Sequence, residues 1–165
     1  MKEIFESLAD LVKIHQQMND IAIQKTEVIK ENDIKGLQTV IQQETKLLKA
    51  LQLAEGKRQK VVSIFLTEHP DFDKKDGEGS MNDLFSAIPK DYQKPLQTLY
   101  DGLLKEVDKL SSQNELNQQM IRDSLQFVNL SLDLLQPDQE TFSYQNPHEK
   151  GQDRQLNYSA FDSRA

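Results

Sequence analysis

Apolar residues recur along the first part of the chain with the spacing of a helix. Ile4, Leu8, Leu11, His15, Met18, Ala22 and Ile29 stand three, four or seven apart, which places them on one face. Val12, Ile21 and Val28 widen that stripe, and no Gly or Pro interrupts residues 2 to 30. Asn32 and Asp33 then break the pattern, and either can cap a following helix by accepting from its free N–H groups. A second periodic segment runs from about 33 to 67 through Ile34, Leu37, Ile41, Leu48, Leu51, Val62 and Phe65. Glu44, Glu55 and Arg58 sit on or beside its stripe. Gly36 and Gly56 weaken it locally, by about 1 kcal/mol each against Ala.

Residues 67–93, with Pro70, Pro89, Gly77, Gly79 and many charges, predict a flexible loop. Within it Leu84, Phe85 and Ile88 predict a short helical turn that packs on the rest. A third segment starts near Asp91, with Pro95 tolerated in its first turn and Gly102 a weak point. Its stripe is Leu96, Leu99, Leu103, Val107, Leu110, Asn114, Asn117, Ile121, Leu125, Val128, Leu132 and Leu135. At the helical rise the three segments span about 45, 50 and 65 Å. Pro137 ends the third, and residues 137–165 have no helical period. The predicted fold is therefore all-α: an antiparallel, coiled-coil-like bundle of three long helices over residues 1–136, and a flexible, disordered tail over 137–165. The short first connection makes the first two helices antiparallel, and the longer third packs along both, with one end expected to project.

Composition narrows the function classes. Apolar residues make up only 36% of the 165, which suits amphipathic helices with one buried stripe each. There is no Cys, so disulfides, thiolate metal sites and thiol nucleophiles drop out. No stretch approaches the ~20 apolar residues of a membrane span, and residues 1–17 lack the apolar core of a signal peptide, so no membrane insertion and a cytoplasmic location are expected. A net charge of −7 argues against nucleic acid as a partner. His15, His69 and His148 have no ligand at metal spacing, and "GEGS" lacks the features of a phosphate loop. The expectation is no enzyme, no metal and no cofactor.

The end of the third helix changes character. Asn114 and Asn117 interrupt its apolar stripe, and a buried amide must find partners. They satisfy each other, the backbone or water inside the bundle, or they form a polar seam that selects a partner helix. Beyond them, residues 125, 127, 128, 130, 132, 134 and 135 are apolar, more than one flanking helix can cover. Such a face marks either self-association into a homo-oligomer or a docking surface for an amphipathic helix.

The stretch "LSSQNELNQQMIRDSLQFVNLSLDLLQP" resembles the signature of FlgN-type flagellar export chaperones: Asn-x-x-Asn, a long amphipathic run, a Pro-terminated helix, a Tyr and a polar tail. "QQETKLLKALQLAEGKRQKV" resembles the family's Glu-rich stretch leading to an Arg, here Glu44 to Arg58, and "FDSRA" resembles the terminus of Gram-positive members. The resemblance implies a cytoplasmic chaperone of type III flagellar export. Its clients would be the hook–filament junction proteins, bound by their C-terminal helical segments, kept from early assembly and delivered to the export gate. Client binding would then fall on Asn114, Asn117, Ile121, Leu125, Phe127, Val128, Leu132 and Leu135. Docking to the cytoplasmic domain of the gate would fall on Tyr144, which is followed here by Gln145 where many relatives carry Gly. The alternative is a self-associating structural or adaptor coiled coil.

Overall fold

The computed structural model describes residues 1–68 and 81–135. Among them the chain forms four helices: α1 (Lys2–Lys30), α2 (Ile34–Thr67), α3 (Met81–Ala87) and α4 (Lys90–Leu135). The all-α expectation holds, but three helices are corrected to four. Leu84 and Phe85 lie in the added helix and Ile88 directly follows it, and with Leu84 and Ile88 buried in the core this segment packs on the rest as expected. The tail from residue 137, with Phe142, Tyr144, Tyr158 and Phe161, lies outside the described residues. The chain divides into two compact units, Met1–Val128 and Asn129–Ala165.

The corner between α1 and α2 is fixed locally. Asn32 takes a positive φ of 54°, a backbone state that Asn tolerates better than most side chains. The Asp33 N–H donates to the Val28 carbonyl at 2.9 Å and the Asn32 N–H to that of Ile29 at 3.1 Å, which ties off the free carbonyls of α1. Asp33 then caps α2, its carboxylate accepting from the Gly36 N–H at 2.9 Å. The same two residues thus end one helix and start the next.

Ion pairs and hydrogen bonds between the helices give their directions. Asp10 meets Lys57 and Lys25 meets Glu44, so α1 and α2 are antiparallel. Asn19 meets Glu106 and Thr26 meets Gln113, so α1 and α4 run parallel. The main core lies at one end of the bundle. Ile4, Leu8 and Leu11 of α1, Val62 and Leu66 of α2, Leu84 of α3, Ile88, and Leu96 and Leu103 of α4 are buried together. Full burial of each such side chain stabilises the fold by about 1.5–3 kcal/mol. Phe5 tilts against Tyr92 at 6.3 Å, and Phe85 meets Tyr100 edge-on at 5.8 Å. A smaller cluster of Met18, Ala22 and Leu110 continues the core along α1 and α4.

Candidate apolar groove

Beyond the second cluster the packing turns polar. Asn117 is only 2% exposed and directs its amide into α1. Its Nδ2 donates to the Ala22 carbonyl at 2.8 Å, and its Oδ1 accepts from the Thr26 hydroxyl at 2.6 Å. The Gln113 amide in turn donates to Thr26 Oγ1 at 2.6 Å. A buried amide is affordable only with such partners. On the preceding residue of α1, Lys25 pairs with Glu44 of α2 at 2.6 Å, with both side chains largely covered. One polar layer therefore crosses α2, α1 and α4.

Past this layer the three helices no longer close on each other. A groove of about 280 Å³ opens, lined by Val28, Ile29, Asn32, Asp33, Ile34, Leu37, Ile121, Ser124, Leu125 and Val128. Seven of these ten are aliphatic. Ile29 is buried at its base, whereas Ile34 is 65% and Leu125 58% exposed on its two walls. A second, wider groove lies between α1 and α4, bordered by Asn19, Ile23, Lys105, Asp108, Lys109, Ser112, Gln113 and Leu116. Ile23 and Leu116 are the apolar side chains among mostly charged and polar ones there, although most of the surface the groove offers is apolar.

The residues expected to bind a partner are distributed as follows. Ile121, Leu125 and Val128 line the groove together. Asn117 lies one turn before Ile121 and faces α1, and Asn114 is half-buried. Phe127 is 71% exposed and does not line the groove. Leu132 and Leu135 belong to the second unit, where they, Leu130 and Leu134 are each more than half exposed. Tyr144 lies outside the described residues.

Sequence reasoning missed the opposite wall. Ile34, Leu37, Ile41, Glu44, Leu48 and Leu51 alternate at three and four, which reads as a stripe buried in the bundle. Instead Ile34, Ile41 and Leu48 are exposed. The signal available was Glu44, a charge inside the stripe, whose partner Lys25 could not be guessed from spacing. The family-like Glu and Arg prove structural in their contacts. Arg58 forks onto Glu55 with bonds of 2.8 and 2.6 Å and lies 3.6 Å from Met81 Sδ of α3. That hydrogen bond, more than the opposing burial, holds the Glu55 carboxyl below its ordinary value of 4.5. His15 is half-buried and donates from Nδ1 to the Leu11 carbonyl at 2.8 Å, since a carbonyl can only accept.

Comparison with known proteins places this architecture. The sequence profile of the FlgN protein family matches residues 1–151. The chain belongs to the FlgN family. The uncharacterized protein YvyG of Bacillus subtilis (strain 168) is 29% identical to this FlgN-family chain over 167 residues, covering 99% of the chain and 98% of YvyG. No solved structure matches it. FlgN membership suggests a flagellar export chaperone. Among the described residues no helix is long and apolar enough to cross a membrane.

Proposed function

We propose that this protein is a cytoplasmic chaperone of type III flagellar export that binds the C-terminal helical segments of hook–filament junction proteins. It keeps them from assembling early and delivers them to the export gate. The observation that carries this reading is the aliphatic groove between Ile34 and Leu37 on one wall and Ile121, Leu125 and Val128 on the other. Both walls follow three-and-four spacing, the pattern into which a further amphipathic helix packs by knobs-into-holes. Phe127, exposed on α4, adds apolar surface available to such a client, and the exposed leucines of Asn129–Ala165 are by themselves a further apolar surface. Release then needs no chemical step, only a competing surface. Tyr144 is the residue proposed to meet the cytoplasmic domain of the gate, as a short motif following α4.

The test is light scattering of the protein alone and mixed with a C-terminal fragment of a junction protein. A one-to-one complex is expected. A stable oligomer that takes up no fragment would overturn the chaperone reading in favour of a self-associating coiled coil.

A further inference from the structure

The polar layer stands where the closed core gives way to the groove. Before it lie Met18, Ala22 and Leu110; after it lie Val28, Ile29 and Ile121. Its hydrogen bonds admit one arrangement. Thr26 has a single hydroxyl proton, and the shorter contact gives it to Asn117 Oδ1 at 2.6 Å rather than to Ala22 at 3.1 Å. Thr26 Oγ1 accepts from Gln113, and Ala22 accepts from Asn117 Nδ2. Turning the Asn117 amide over would set its oxygen against the Ala22 carbonyl, acceptor against acceptor. A second cross-link lies one heptad earlier on both helices, where the Asn19 amide donates to the Glu106 carbonyl at 3.0 Å and to its carboxylate at 2.8 Å.

Apolar stripes alone do not fix such a pairing. A slide of α4 by one heptad, about 10 Å, would match leucine stripe to leucine stripe again. Either slide costs the polar layer its bonds from the Asn117 amide: Met120 and Ser124 would stand in place of Gln113 and Asn117 in one direction, Glu106 and Leu110 in the other. A polar residue in a heptad seam typically specifies register in this way. Asn117 is one helical turn from Ile121, so the register set at 117 carries directly to the groove wall.

We propose that Asn117, with Thr26, is a positioning residue that holds α4 in the one register where Ile121, Leu125 and Val128 face Ile34 and Leu37 across an open groove. This rests on the groove being the client site. It assigns Asn117 to shaping that site rather than to touching the client.

The test replaces both partners by apolar groups of similar shape, Thr26→Val with Asn117→Leu, so that neither is left unpaired. The chain has no Cys, so spin labels at Gln24→Cys and Gln118→Cys, both exposed, report the α1–α4 register. The wild-type pair of helices should give one distance. The double variant should keep its helical circular dichroism and melting temperature yet show a second label distance, from molecules in which α4 has slid by about 10 Å along α1. If the competent register falls to a tenth of the molecules, the apparent Kd for the junction-protein fragment rises about tenfold. Thr26→Ser keeps the hydroxyl and should keep a single distance and wild-type affinity. Unchanged distance and affinity in the double variant would overturn the proposal. So would loss of helicity, because the pair would then be holding the fold itself. Failure of the wild type to bind the fragment would sink the client-site reading instead, while the label distances would still decide the register.

Discussion

At Gly36 the corner between α1 and α2 leaves no room for a methyl group. A Cβ there would collide with the Asp33 carboxylate and press on Val28. Gly36→Ala should therefore cost about 1 kcal/mol or more by displacing the cap, although Ala is the better helix former. Gly56 has open space around its Cα, so Gly56→Ala should instead stabilise by up to about 1 kcal/mol. Urea melts of the two variants separate these outcomes. Glu55 makes a pH-dependent contribution. Its carboxyl is held low by Arg58, so the folded state favours the ionised form. The stability this gives is complete above the ordinary value of 4.5 and is lost as pH falls through the lowered folded value. The stability gap between wild type and Glu55→Gln should therefore shrink on acidification from neutral pH. A gap that stays constant down to the acid limit would contradict it.

At the scale of elements, α3 is a core member despite its seven residues. Leu84 is completely buried against α1, α2 and α4 residues, so Leu84→Ala should cost about 2–5 kcal/mol. A loop residue would cost a few tenths, and thermal melts decide. The long helices instead change function along their length. Residues of α4 up to Leu110 fill the core, whereas Ile121, Leu125 and Val128 line the groove. Val128→Asp with Leu132→Asp should therefore abolish capture of the junction-protein fragment while circular dichroism and melting temperature change little, since both side chains are about half exposed already. A large loss of helicity would assign them to the core.

At the scale of the molecule, the decisive contrast within Met1–Val128 is between a helix bundle closed at one end and a groove left open past its polar layer. The same exposed aliphatic residues that can receive a client helix can also receive a second copy. Dilution should therefore shift any oligomer towards monomer, and the client fragment should compete with self-association for the groove. Light scattering over a concentration series, with and without fragment, checks this; an oligomer unmoved by either would place the apolar surface in a permanent interface.

Much of this was legible in the residues. Three- and four-residue spacing fixed the long helices to within a few positions, because a helix needs only one apolar stripe and a clean start and stop. Asn32–Asp33 supplied both at the first corner, and the apolar excess after Leu125 announced a face without a full complement of neighbours. What spacing could not decide was which stripe meets which. Ile34, Ile41 and Leu48 look like core residues in sequence, yet they are exposed because α4 follows α1 in parallel rather than covering that side of α2. Asn117 could equally have faced a partner; its direction depends on Thr26 and the Ala22 carbonyl, some ninety residues earlier in the chain. Periodicity acts within one helix, so the sequence determined the helices and their apolar faces. Pairing of faces is set by contacts between helices, so only the tertiary structure decided where the core ends and the groove begins.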